Sequence, residues 1–118
     1  MLYKIKLNTG LELEFENDYE NVIDEFYETF NNQNISFVSV GDNFLGKHSV
    51  LYIKPLEEEE EVNYQLTLSN GDIFDLKLEE TLDTLEFLQK LNSQGEYFVS
   101  IGGVIFQKHL LNTLIKVK

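Results

Sequence analysis

The chain contains no cysteine, no arginine and a single proline. Without cysteine there is no disulfide framework, no thiolate nucleophile, no thiolate zinc site and no thiol redox chemistry, and secretion of so small a domain is disfavoured. Without arginine the nine basic residues are all lysines, so the bidentate fork best suited to phosphate is missing. No apolar run approaches the roughly eighteen residues of a membrane span. The opening MLYKIKLNTG also lacks the long apolar centre and small-residue cleavage site of a secretory signal. These absences predict a cytoplasmic protein with no membrane association.

What remains is enough for a core and heavily skewed in charge. The 118 residues are 42% hydrophobic and 13% aromatic, which suits one ordinary domain or two very small ones. Asp and Glu number 21 against nine lysines, a formal net charge of -12. An acidic surface repels nucleic acid, so direct DNA or RNA binding is disfavoured and a basic protein partner is favoured.

The chain also repeats itself. FVSVGDNFLGKH begins at Phe37 and FVSIGGVIFQKH at Phe98, 61 residues later. At that offset Tyr3 to Leu51 aligns with Tyr64 to Asn112 without a gap, and thirteen of forty-nine pairs are identical. Tandem duplication of a unit of about 50 residues explains this. The copies span residues 1–55 and 62–118. Between them, at 56–61, five consecutive Glu follow Pro55 and Leu56; like charges that repel one another read as a solvated linker.

Each copy opens with a hairpin pattern. In YKIKLNTGLELEF the apolar residues alternate on both arms, and only an odd-length loop puts both sets on one face. A loop of Asn8, Thr9 and Gly10 pairs Tyr3 with Phe15, Ile5 with Leu13 and Leu7 with Leu11. The other face then sets Lys4 against Glu14 and Lys6 against Glu12, opposite charges that favour the same register. Ser69, Asn70 and Gly71 make the corresponding turn, with Leu66 facing Phe74 and Tyr64 facing Leu76.

A helix is predicted next in each copy. Tyr19, Val22, Ile23, Phe26, Tyr27 and Phe30 form one apolar stripe, with Asn17 and Glu20 spaced as a capping box. In the second copy Leu82, Leu85, Phe87, Leu88 and Leu91 cover a wider arc than one sheet buries. Leu82 and Leu85 are therefore expected to contact the other repeat or a second molecule, making a homodimer one prospect. Val38 and Val40, like Val99 and Ile101, share a strand face, with Phe37 and Phe98 pointing the other way. The expected fold is α+β: a duplicated β-β-α-β-β-β unit with antiparallel sheets, one packed helix in each copy, and a core shared between the copies.

Catalytic signals are weak. His48 and His109 each follow a lysine, Lys47 or Lys108, but no second histidine stands at ligand spacing, and a turn or hydrogen-bonding role accounts for them. Ser39 and Ser100 lack a nucleophile elbow, and the glycines near Gly41 and Gly102 lack the Lys-Ser or Lys-Thr of a phosphate loop. No enzyme, metal or cofactor is therefore expected.

One constellation rises above this background. Asp18, Glu20, Asp24, Glu25 and Glu28 are expected to face away from the apolar stripe of the first helix, uninterrupted by lysine. Residues 1–55 hold nine acids and four lysines, 56–61 five acids, and 62–118 seven acids and five lysines, so negative charge concentrates in the first copy and linker. Such a ridge fits an interaction protein that replicates a phosphate backbone inside the basic channel of a nucleic-acid-binding protein. In size and charge alone the chain resembles phage-encoded DNA mimics and anti-CRISPR inhibitors. The alternative is a structural or oligomerising accessory protein whose acidity confers solubility.

Overall fold

The computed structural model describes residues 1–57, 61–78 and 84–117, the last segment without the Thr84 side chain. In chain order the elements are β1 (Leu2–Leu7), β2 (Glu12–Glu16), α1 (Val22–Phe30), β3 (Phe37–Val40), β4 (Asn43–Gly46), β5 (Val50–Pro55), β6 (Tyr64–Leu68), β7 (Ile73–Leu76), α2 (Thr84–Asn92), β8 (Phe98–Ile101), β9 (Val104–Gln107) and β10 (Leu111–Lys116). Among the described residues this is a small α+β fold of ten strands in antiparallel sheets and two helices. Short 3-10 turns at Lys47–Ser49 and Lys108–Leu110 precede β5 and β10.

The opening hairpins follow from alternation and turn chemistry. Gly10 adopts φ 92°, the left-handed conformation in which a side chain would be strained. The Leu7 N–H donates to the Leu11 carbonyl and the Gly10 N–H to the Leu7 carbonyl, each at 2.9 Å. Tyr3 then faces Phe15, Ile5 faces Leu13, Lys4 faces Glu14 and Lys6 faces Glu12. In the second hairpin Leu66 faces Phe74 and Tyr64 faces Leu76.

The ion pairs depart from that register. Lys4 reaches diagonally to Glu12 at 3.5 Å, while Lys6 leaves β2 for Asp72 at 2.9 Å, just ahead of β7. Both side chains of the second pair are partly shielded from water, which strengthens their attraction relative to one at the rim. The pair also ties residues of the two halves together.

The first helix starts later than its sequence pattern suggests. Asn17 Oδ1 accepts the Tyr19 N–H at 2.8 Å, closing a turn on itself instead of capping the helix. The N-cap is Asn21, with no side-chain capping bond. Tyr19 consequently lies outside α1 and is exposed, while Val22 and Phe30 are buried and Ile23, Phe26 and Tyr27 pack partly against the core. In α2, Phe87 and Leu91 pack against buried residues, whereas Leu85 and Leu88 are exposed. Leu82 lies outside the described residues.

The sheets cross between the halves. One has the order β2-β1-β5-β9-β8, a second β10-β6-β7, and β3-β4 forms a two-stranded ribbon. The joint is β5 with β9, where Tyr52 faces Phe106 and Ile53 faces Ile105. Every residue of β9 is buried, because this strand has neighbours on both edges and cover on both faces. Among the described residues the apolar core falls into two clusters, and they exchange residues: Phe98 and Ile105 enter the first, and Tyr52 enters the second.

Polar side chains lock the joint. Asn31, just after α1, accepts the N–H groups of Tyr97 (2.9 Å) and Phe98 (2.8 Å) on Oδ1 and donates from Nδ2 to the Phe98 carbonyl at 3.0 Å. Buried Gln107 donates to the carbonyls of His48 (3.0 Å) and Val50 (2.7 Å). Lys47, also buried, donates to the Asn32 carbonyl at 2.9 Å, and Lys108 likewise to the Ser93 carbonyl. The lysine in each Lys-His pair thus anchors the loop that follows a helix.

Two stability predictions follow from these contacts. Asn31→Ala removes the partner of the part-buried Phe98 N–H and carbonyl and of the exposed Tyr97 N–H, and should cost about 2 kcal/mol in urea unfolding, with an unchanged m-value. The second concerns Asp72, whose carboxyl burial would raise; hydrogen bonds from Lys6 and Tyr52 outweigh this and hold it below its usual range. A depressed folded pKa contributes stability that is present above the unfolded value of about 3.9 and is lost as pH falls through the folded value. A double-mutant cycle of Lys6→Met and Asp72→Asn should give a coupling of about 1 kcal/mol at neutral pH, shrinking toward zero as the medium is acidified below the unfolded pKa.

Candidate functional site

The acidic face is built partly on α1 and partly on the segment leading into it. Asp24 and Glu25 occupy the first turn of α1, and Glu28 follows one turn later, three and four residues on, where helical side chains are neighbours. Asp18 and Glu20 precede the helix, so they extend the acidic run along an irregular approach and not along the helix face expected from periodicity. All five residues are exposed.

Their ion pairs are few among the described residues. Asp18 pairs with the N-terminal ammonium at 3.0 Å. Among the described residues, no lysine pairs with Glu20, Asp24, Glu25 or Glu28. Lys4 and Lys6 hold other carboxylates, Lys47 holds a carbonyl, and Lys90 of α2 stands 5.8 Å from the Tyr27 ring centre. Burial and the neighbouring Glu96 push the Tyr27 hydroxyl above its usual range, so it stays neutral and adds no charge at physiological pH.

Glu20 and Asp24 also border a cleft of about 480 Å³, lined in addition by Tyr3, Ile23, Pro55, the end of β8 at Ser100 and Ile101, and the turn at Gly102 and Gly103. Gly102 and Gly103 both have positive φ in that turn. A Cβ on Gly102 would meet Leu78 at 2.9 Å, so the tight turn that walls the cleft requires glycine there. Asp24 and Glu28 are spaced about 6 Å along the helix axis. Chemically, the arrangement offers acceptors and negative potential.

The repeated histidines occupy a different place. His48 and His109 are exposed in their 3-10 turns, and both flank Tyr97, with ring centres at 5.2 and 5.6 Å. Tyr97 has Ser36 as its counterpart at the 61-residue offset, so the repeat gave no sign of this cluster. Ser39 donates within its own turn, to the Gly41 carbonyl at 3.4 Å. Among the described residues, no three His, Asp or Glu groups converge as a metal ion would require.

Two surface features were not read from the sequence as sites. Phe37 and Phe44 stand in solvent on the β3–β4 ribbon, at 74% and 82% exposure. Outward alternation singled out Phe37, but alternation does not say whether an outward face is covered. Among the described residues, no helix is long and apolar enough to cross a membrane. No protein-family model matches the chain, and no curated protein or solved structure matches it either.

The acidic helix should respond to neutralisation by position. Glu28 lies toward the negative end of the α1 dipole and beside Asp24 and Glu25, so Glu28→Gln should stabilise by a few tenths of a kcal/mol at low salt. Asp24→Asn, at the positive end, should destabilise or change little. Thermal melts of both variants at low and high salt give the sign of each effect.

Proposed function

We propose that this chain is a non-enzymatic, acidic interaction protein that inhibits a nucleic-acid-binding protein by occupying its basic channel with carboxylates in place of phosphates. The observation that carries this reading is the exposed, cation-poor run of Glu20, Asp24, Glu25 and Glu28 in a chain of formal net charge -12. Crowded like charges cost stability, and a partner that uses them gives a reason to keep them. Each exposed carboxylate contributes little alone, while the summed field governs encounter rate and salt dependence. The same reading takes the molecule as a tandem duplication. The order strand, strand, helix, strand, strand, 3-10 turn, strand occurs in residues 2–55 and again in 64–116.

The exposed Leu85 and Leu88 support a second reading, an accessory protein that oligomerises through Leu82, Leu85 and the rest of that helix face. Pull-down from lysate at low and moderate salt separates the two. Salt-sensitive recovery of basic nucleic-acid enzymes supports mimicry, and self-association alone supports the accessory role.

A variant carrying Glu20→Gln, Asp24→Asn, Glu25→Gln and Glu28→Gln removes four charges while keeping shape. It should associate with the recovered enzyme at least ~10-fold more slowly at low salt and show a flatter salt dependence. His48→Gln with His109→Gln should leave binding unchanged. Equal affinity of this four-substitution variant and the wild type at every salt concentration would sink the mimicry reading.

A further inference from the structure

Two hairpins with the same opening residues meet opposite environments. The β8–β9 hairpin is used on both faces: Val99, Ile101, Val104 and Phe106 enter the second cluster, and Phe98 and Ile105 enter the first. Phe98 sits 4.9 Å from Phe30 at the end of α1, Asn31 clamps its backbone, and β9 pairs with β5. The β3–β4 ribbon, 61 residues earlier, uses one face only. Val38, Val40 and Leu45 are buried, while Phe37 and Phe44 are in solvent. Among the described residues the outer edge of β4 has no strand partner.

The surface that would receive this ribbon is also open. At the same offset, the counterpart of β5 is β10, which pairs with β6 and presents its other edge unpaired among the described residues. The counterparts of Phe30 and Asn31 are Leu91 and Asn92, and Asn92 is exposed. The chain therefore contains one filled joint and the two sides of an equivalent, empty one.

The filled joint dictates a register for the empty one. Shifting Tyr52 opposite Phe106 and Ile53 opposite Ile105 by 61 residues gives Thr113 opposite Leu45 and Leu114 opposite Phe44. Extending it sets Asn43 against Ile115 and Asp42 against Lys116. Asp42 is the sole charged residue in 37–46 and Lys116 the sole charged residue in 111–116, so opposite charges meet and the remaining pairs are uncharged. In a chain this acidic, that match distinguishes the joint from the rest of the surface. Asn92 would reach the backbone of Ser36 and Phe37 as Asn31 reaches Tyr97 and Phe98. One bond has no equivalent, because Gly46 stands where Gln107 does.

We infer that a second copy of the chain fills the empty joint: β4 of each copy adds to the free edge of β10 in the other, with Phe37 and Phe44 covered by the partner's α2 and β10. Reciprocal contacts of this kind close a two-fold dimer and remove both open edges. The surface shares no residue with the acidic face, so the dimer and the mimicry reading stand or fall separately.

The absence of native cysteine makes the test direct. Wild-type protein should sediment as a dimer. Asn43→Cys chains mixed with Ile115→Cys chains under mild oxidation should give a disulfide-linked dimer that neither chain forms alone. Phe37→Ser with Phe44→Ser should raise the dimer dissociation constant at least ~10-fold, with an unchanged circular dichroism spectrum because both residues are exposed in the monomer. Asp42→Lys should weaken the dimer, and adding Lys116→Asp should restore it. The inference is overturned by a wild-type monomer at high micromolar concentration, or by a dimer indifferent to the two phenylalanines. It is equally overturned if a chain carrying both cysteines closes a disulfide within itself and not between copies.

Discussion

The pairing of β5 with β9 is the contact on which the rest of the molecule depends. It joins the sheet of residues 2–55 to a hairpin made some fifty residues later, and it places β9 in the interior with all four side chains buried. Once that strand is seated, Phe98 lies against Phe30, Gln107 reaches the carbonyls of β5 and the turn before it, and Asn31 satisfies the edge of β8. The two apolar clusters are each completed by residues from the other half, so neither half has a full core alone. The Lys6–Asp72 pair is an electrostatic consequence of the same docking.

Much of this was legible in the chain and some was not, for a physical reason. Side-chain alternation and opposed charge determine a hairpin register because both act within a dozen residues, and Tyr3 opposite Phe15 or Leu66 opposite Phe74 needs nothing further. The stripe from Val22 to Phe30 reads as a helix on the same grounds. The helix start did not, because Asn17 had two local uses for its side chain and took the turn. Strand neighbours were the larger gap. Alternation says which way Phe37 and Phe98 point, yet identical residues in identical local patterns end at 74% and 0% exposure. Asn31 and Asn92 were equally visible as an identical pair, but their role depends on which strand edge arrives beside them. The acidic residues were legible as a group, whereas the placement of Asp18 and Glu20 ahead of the helix was not.

Charge and apolarity are separated over the surface in a way that composition alone conceals. Among the described residues the carboxylates of α1 make no ion pair with lysine, and Lys4, Lys6 and Lys47 are committed to structural contacts. The β3–β4 ribbon is the reverse, with one charge in ten residues and two phenylalanines in water. Surfaces this different suit different kinds of recognition: a diffuse field acts at a distance and weakens with salt, while an open strand edge with aromatic anchors acts on contact.

The long separation between β5 and β9 also bears on how the chain acquires its fold during synthesis. Translation proceeds from the N-terminus, and β2, β1 and β5 are complete by Pro55. Their sheet then has an unsatisfied edge at Tyr52 and Ile53, and Phe30 has no aromatic neighbour from β8, until residues 98–107 have been made. Because the partner strand is this far away in sequence, loop-closure entropy falls on the last folding step instead of the first. A chain that has emerged beyond the glutamate run before residues 98–107 are available would thus expose a sticky, half-built sheet next in sequence to five consecutive carboxylates, whose mutual repulsion between neighbouring chains opposes aggregation at the stage when it is most favoured.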